Sequence, residues 1–360
     1  MSCTCHRNPL HCVIPPYLLE KVAAKGKSAI ARDKALKSLR VSRYFRGRRR
    51  EAQEAFKALG FRAVASAAAT AAPETLVRKV YDAKGAEDLP GKLVRGEGDK
   101  PTKDTAVDAV YDGAGHTYDL YREEYGRSSI DDRGMEMIQT VHFGQSYQNA
   151  FWNGEQMVYG DGDGSVFGDF TSDIDVIGHE LSHGVTQYEA GLIYEFQSGA
   201  LNEHFSDVFG SLVKQRVANE DAKTANWLIG ENVLVGKKYV LRSLKAPGTA
   251  FVNHPVLGTD PQPATMNDFQ QLPLWEDQGG VHINSGIPNH AFYLAAMEIG
   301  GYAWKQAGLI WYRTLCDLLG ENATFVRAAQ ATIQAARAEF GSGSLEEQAV
   351  TKAWKDVKVI

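Results

Sequence analysis

The spacing of apolar residues changes character twice along this chain. In residues 1–60, "LLEKVAAK", "ARDKALKSLRVSRYF" and "REAQEAFKALGF" place apolar residues at helical intervals among many basic ones, which predicts separate short helices. An Ala-rich run over 61–73 ends at Pro73 and reads as a linker. From about 75 to 170 the pattern is strand and turn. "TLVRKVYDAKG" and "AVDAVYDGAGHTYDLY" set β-branched and aromatic residues between Asp-Gly and Gly breaks. From about 172 onward helical periods dominate, in "DIDVIGHELSHGVTQYEAG", "GALNEHFSDVFGSLVKQRVA", "GIPNHAFYLAAMEIG" and the last forty residues. Gly191 and Gly300 stand where helix stops belong. The predicted plan is α+β: a small helical N-terminal piece, a β-rich lobe and a mainly α-helical lobe.

At 360 residues the chain can bury a large core, and two lobes are expected. A net charge of −5 argues against a general nucleic-acid binder. No segment approaches the roughly 20 apolar residues of a membrane helix. "AVASAAATAA" at 63–72 comes nearest, at about half that length. The start, "MSCTCHRNPLHC", has no apolar signal-peptide core. Export by a route without a recognisable signal peptide, or residence in the cytoplasm, follows. Cys3, Cys5 and Cys12 crowd one end and Cys316 stands alone, so no disulfide framework is expected in the main body. Cys316 falls in an apolar helix and reads as a buried core thiol.

The chemistry concentrates in "IGHELSHGV". His179 and His183 are four apart and share one helix face, so two imidazoles can grip one ion from one side. Glu180 can reach a water on that ion without ligating it. A catalytic zinc needs a third protein ligand and an open position. About twenty residues on, "GALNEHFSDV" offers Glu203 as that ligand. Asp207, one turn further, suits the outer nitrogen of His179, and Asn202 suits that of His183.

Four blocks, "NAFWNGEQMVYGDGDG", "DVIGHELSHGVTQYEAGLIY", "SGALNEHFSDVFG" and "GGVHINSGIPNHAFY", together resemble the thermolysin-like zinc metallopeptidases over roughly residues 75–360. The short N-terminal piece with "IPPYLL" resembles the propeptides of the protealysin subgroup. The resemblance implies a two-lobed metallopeptidase with its cleft between the lobes, made as a zymogen. It implies one Zn²⁺ on His179, His183 and Glu203, with Glu180 as general base. Tyr194 and His282 would donate to the oxyanion, and Asp277 would orient His282. Asn149 and the backbone of Ala150 would hold an extended substrate, and Arg242 would bind a substrate carbonyl. Phe167, Phe170, Val176, Val233 and Leu241 would line the pocket for the residue after the cut, so cleavage before bulky hydrophobic residues is expected. Partners would be peptide or protein substrates and the chain's own propeptide, with no nucleic acid or membrane, on a monomer.

Larger members of the family hold calcium at positions matching Asp175, Lys214, Asn226, Leu228 and Glu231. Lys214 would repel that ion and pair with Asp175 or Glu231 in its place, so calcium is not expected there. "DGDGSV" at 161–166 lacks the Gly of a calcium loop and reads as a turn. The expected domains are an inhibitory propeptide over 1–65, its boundary between 45 and 75, a β-rich lobe over 66–190 and a helical lobe over 191–360. Pro15, Pro16 and Tyr17 would lie extended on the primed side of the cleft. "RYFRGRRR" at 43–50 is either a removal site or a solvated basic face. Cys3, Cys5, His6, His11 and Cys12 leave three readings: a thiolate cap on the zinc, a separate metal site, or a flexible tail, which is preferred.

Three other functions compete. A catalytically dead homologue would bind peptides without cutting, but none of the catalytic residues is missing. A nucleic-acid module on the basic N-terminus lacks zinc-finger spacing. A zinc aminopeptidase would need an element for capturing the substrate amine, and none is found.

Overall fold

The computed structural model describes residues 11–58, 75–236 and 238–360. The predicted linker at 63–72, Pro73, and Cys3, Cys5 and His6 lie outside the described residues. β1 (His11–Cys12) leads into α1 (Pro16–Lys25) and α2 (Ala29–Ala58). Pro16 opens α1 at its first position, where a missing N–H costs nothing. Leu18, Leu19, Val22, Ala35 and Leu39 are buried along the two helices. The separate helices expected on either side of 45–50 are one helix. Only Gly47 interrupts the run of good formers there, and one Gly costs about 1 kcal/mol, too little to break it.

The next strands are β2 (Arg78–Asp82) and β3 (Lys92–Gly96), followed by α3 (Thr105–Asp119), then β4 (Met137–Val141), β5 (Ala150–Trp152) and β6 (Met157–Tyr159). The sheet runs β1-β5-β6-β4-β2-β3, with β2, β4 and β6 parallel. β1 is thus an edge strand supplied by the N-terminal piece. It pairs antiparallel with β5, Cys12 opposite Phe151.

The helix α3 corrects the strand-and-turn reading of 106–121. Asp104 caps it, accepting from the N–H groups of Ala106 and Val107. Ala106, Val107, Val110, Tyr111, Ala114 and Tyr118 then bury one helical face. Gly113 is no turn residue: a Cβ there would meet the Ile177 side chain at 2.7 Å. The glycine lets α3 pack closely on α4 (Ile174–Tyr188).

The other helix of the central pair is α5 (Phe196–Ala218), which packs along α4. A short pair, β7 (Leu228–Ile229) and β8 (Arg242–Ser243), follows, then α6 (Asp277–Asn284), α7 (Gly286–Ile299), α8 (Gln306–Arg313), α9 (Phe325–Phe340) and α10 (Leu345–Asp356). Gly300 closes α7 with φ 76°, and the N–H of Gly191 caps the Thr186 carbonyl beyond α4. Cys316 is only partly buried, packed against the main core. Burial, then Glu189, pushes its thiol up to about 12. In the 161–166 turn, Asp163 accepts from the N–H groups of Ser165, Val166 and Phe167. A β-rich lobe and a helical lobe are therefore both present, with α4 and α5 between them.

Candidate active site

Nearly every residue of α4 from Asp175 to Thr186 is buried, polar ones included. The helix must therefore satisfy its side chains internally, and α5 is what it meets. The two backbones approach closely at Gly210, where a Cβ would lie 2.3 Å from the Asp175 carbonyl oxygen. That approach brings the Glu203 carboxylate to the two histidines. The Nε2 atoms of His179 and His183 are 3.1 Å apart. Glu203 oxygens lie 3.6 Å from the first and 3.4 Å from the second.

The outer nitrogens are committed. Nδ1 of His179 donates to Asp207 at 2.9 Å, and Nδ1 of His183 to Asn202 at 2.7 Å. Ser206 Oγ also lies 2.9 Å from the latter. With each Nδ1 donating outward, the two Nε2 atoms are left facing each other and the Glu203 carboxylate. Glu203 Oε2 is buried without a hydrogen-bond partner. A cation reconciles them. Tetrahedral ligands at ~2.0–2.1 Å from zinc sit ~3.3 Å apart, close to the separations here. Among the described residues, His179, His183 and Glu203 are the one group of this kind.

Glu180 follows His179 and is fully buried. Its Oε2 accepts from the Trp152 N–H of β5 at 3.1 Å. Burial, then the charge of Glu203, raises its pKa well above the ordinary carboxylate value, while the N–H groups of Trp152 and Val13 pull the other way. Tyr194 lies between α4 and α5; its hydroxyl donates to Glu203 and sits 3.1 Å from Nε2 of His282. Asp277 Oδ1 holds Nδ1 of His282 at 2.6 Å, and Oδ2 accepts from the N–H groups of His282 and Ile283. Burial opposes charge on His282, but Glu203 and Asp277 outweigh it and raise its pKa.

Arg242 reaches Asp207 with Nε and Nη2, the latter at 2.8 Å. Burial alone would raise Asp207, yet Arg242, with His179, holds it well below the ordinary carboxylate range. Phe167, Phe170, Val176, Val233 and Leu241 are all buried in the main hydrophobic core.

The N-terminal segment fills this cleft. The Cys12 carbonyl accepts from Nε2 of His282 at 3.0 Å. The Val13 N–H donates to the Ala150 carbonyl at 3.2 Å, and the Val13 carbonyl accepts from Arg242 Nη1 at 3.0 Å. Asn149 clamps Ile14 by both its N–H and its carbonyl, at 2.9 and 3.0 Å. Val13 is fully buried in the main hydrophobic core. Between Pro15, Tyr17, Leu18 and Arg242 only about 10 Å³ remains, room for one water at most.

Two expectations change here. Pro16 and Tyr17 are half-buried and already helical; the residues hydrogen-bonded along the groove are Cys12–Ile14. Cys12 is no flexible tail residue, since β1 pairs with β5 and buries it. Its sulfur is not among the clustered metal-ligand atoms. No local signal announced this strand: β1 is only His11–Cys12, and it forms where the edge of β5 is offered.

Comparison with known proteins agrees with this geometry. The model "Thermolysin metallopeptidase, catalytic domain" matches residues 53–187, and "Thermolysin metallopeptidase, alpha-helical domain" matches 190–359. Protease PrtS of Photorhabdus sp. (strain Az29) is 52% identical over 289 residues, 79% of this chain and 77% of that protein. An extracellular metalloprotease of Pectobacterium carotovorum subsp. carotovorum is 45% identical over 359 residues, 98% and 97% of the two chains. The solved precursor of protealysin, a metalloproteinase from Serratia proteamaculans, is 47% identical, covers 97% of this chain and 100% of its own, and superposes with a TM-score of 0.85. This chain belongs to the thermolysin metallopeptidases, as a protealysin-type zinc metalloendopeptidase that carries its propeptide.

Proposed function

We propose that this precursor hydrolyses peptide bonds on the N-terminal side of bulky hydrophobic residues, and that its first residues hold the cleft as a substrate would. The observation that carries this is the register of the bound segment. The carbonyl of Cys12 lies on His282, the Val13 N–H on Ala150 and the Val13 carbonyl on Arg242. A peptide substrate would take the same hydrogen bonds, with its own apolar side chain where Val13 sits.

His179, His183 and Glu203 would hold the zinc. When bound, the ion makes a water more acidic and polarises a carbonyl. Glu180, next to His179 and buried against the Trp152 N–H, accepts the attacking water's proton and delivers it to the leaving nitrogen. His282 and Tyr194 donate to the oxygen as negative charge develops there. With Nδ1 donating to Asp277 and Nε2 donating forward, His282 is doubly protonated and cationic. A preorganised donor of this kind is worth about 2.7–4 kcal/mol. Asn149 and Ala150 keep the substrate extended. Residues 1–65 act as the propeptide, with Pro15 in the cleft beyond Ile14. The relative named as extracellular supports action outside the cell.

The test is Glu180→Gln in a preparation assayed for zinc content and casein hydrolysis together. Retained zinc with lost hydrolysis is expected; full hydrolysis by the variant would sink the assignment. Cleavage products of a protein substrate, read by mass spectrometry, should begin with Val, Leu, Ile or Phe.

A further inference from the structure

A fourth buried histidine stands beside the metal group and faces away from it. His204 follows Glu203 on α5 and is 1% exposed. Trp311, on α8, donates its indole N–H to His204 Nε2 at 2.7 Å. An indole can only donate, so that nitrogen carries no proton. The proton is then on Nδ1, which donates to Asn289 Oδ1 on α7 at 2.8 Å. That contact fixes the amide orientation of Asn289, whose Nδ2 donates to Asp207 Oδ2 at 2.9 Å. Every link has one possible sense, Trp311 to His204 to Asn289 to Asp207. The chain links three helices, α8, α5 and α7, to deliver one hydrogen bond to one carboxylate oxygen.

Asp207 is where two functions of the site meet. Its Oδ1 holds His179 Nδ1, which fixes that ring toward the metal position. Both its oxygens hold Arg242, whose remaining arm grips the carbonyl after the bond at the centre of the cleft. A rotation of this carboxylate therefore disturbs the metal ligand and the substrate clamp together. Arg242 bonds both oxygens and His179 bonds Oδ1. The Asn289 amide, anchored from behind by His204, arrives at Oδ2 from a different helix and adds a third direction of restraint.

We propose that His204 and Asn289 are positioning residues, which hold Asp207 so that one carboxylate aligns both His179 for the metal and Arg242 for the substrate carbonyl. This rests on the metallopeptidase reading of the site. It predicts a coupling that a purely structural hydrogen bond does not: zinc release and KM rise in step.

The experiment measures zinc release from the full chain into a chelator, KM and kcat for an extended peptide after the same preparation has activated, and the melting temperature of the metal-free protein. Asn289→Leu keeps the volume and removes both links; zinc release should accelerate about 10-fold or more, as outer partners of metal ligands typically show. KM should rise about 3–10-fold, the effect of a weakened hydrogen bond to a charged group. His204→Phe should move both in the same direction. His204→Asn, whose amide nitrogen overlays Nδ1, should bring both back toward wild type. Folded Asn289→Leu and His204→Phe proteins that keep both quantities within twofold of wild type overturn the proposal, as does a change in only one of them. Should those two variants fail to fold, Trp311→Phe decides by the same criteria, since it removes only the anchoring N–H. Wild-type protein that binds no zinc would instead defeat the metallopeptidase reading.

Discussion

Two acidic clusters lie on the same pair of helices and meet their charge in opposite ways. Near the start of α4, Asp175 faces Lys214 of α5, whose Nζ lies 2.7 Å from Asp175 and 3.2 Å from Glu231 and also donates to the Leu228 carbonyl. Burial works against the ammonium, but Asp175 and then Glu231 more than compensate, and its pKa rises. One helical turn further along α4, Glu203 meets the imidazoles of His179 and His183, with His282 Nε2 at 3.6 Å on its other side. The first cluster needs only charge balance, and a lysine gives it permanently. The second needs a Lewis acid with an open position, which no side chain offers. The same crossing therefore carries a site closed by the chain's own lysine and a site whose ligand set fits a metal ion.

Breaking the second site has the largest effect. Chelation, or Glu203→Gln, should abolish hydrolysis and zinc retention together, measured on one sample by elemental analysis and peptide turnover. Turnover that survives full zinc loss would end the metal account. Glu180→Gln should lose about 10²–10⁴ in kcat while zinc stays bound, because only the base is removed. Next comes the segment that fills the cleft. Val13→Asp puts a carboxylate into a fully buried position beside Glu180, and the precursor should show more hydrolysis than the parent chain. A precursor that stays latent would show that the inhibition lies elsewhere in the propeptide.

The closed site can be reopened. Lys214→Asp replaces the chain's own cation by a third carboxylate, so the variant should lose about 3 kcal/mol of unfolding free energy, the cost of breaking a largely buried pair. Millimolar calcium should restore part of that, since the cluster then offers several oxygens and net negative charge. The wild-type protein should unfold at the same denaturant concentration with and without calcium. Calcium stabilising the wild type as much as the variant would defeat the idea that Lys214 takes the ion's place.

The contrast also explains what the sequence made legible. α4 and α5 were readable because ligand spacing, carboxylate spacing and helical period coincide over His179, His183, Glu203 and Asp207. The assignments of Asp207 to His179 and Asn202 to His183 could be drawn because a metal-bound imidazole needs an outer acceptor. α3 was misread because Val, Tyr and Gly carry strand and turn propensities that tertiary packing overrode: Gly113 answers to Ile177, a contact invisible in one dimension. Cys12–Ile14 were missed for the same kind of reason. The strand that leads into them, β1, exists only because β5 offers an edge, and nothing local in a two-residue strand announces that edge. His204 and Asn289 sit 85 residues apart and were unremarked, since a one-way hydrogen-bond chain needs three-dimensional partners to be visible at all.

A third acidic pair supplies a cation that can be switched off, and it gives the smallest effect. His142 sits between Asp161, 2.8 Å from Nδ1, and Asp104, 2.9 Å from Nε2, tying the end of β4 to the cap of α3. Asp161, against an opposing burial cost, and Asp104 raise its pKa to about 9. The folded value exceeds the ordinary His value of about 6.5, so the stabilisation is complete below that pH and is lost as pH rises through 9. The side chain is partly exposed, so screening reduces the effect to about 1 kcal/mol. Denaturation midpoints should therefore fall between pH 7 and 10 in wild type and stay level in His142→Gln, where no proton is lost. Lys214 does not titrate in that window, because its pKa is raised above an already high value. A wild-type midpoint that stays flat to pH 10 would mean that this histidine is neutral when folded, and that of the clusters filled by the chain's own cations only the lysine one carries charge.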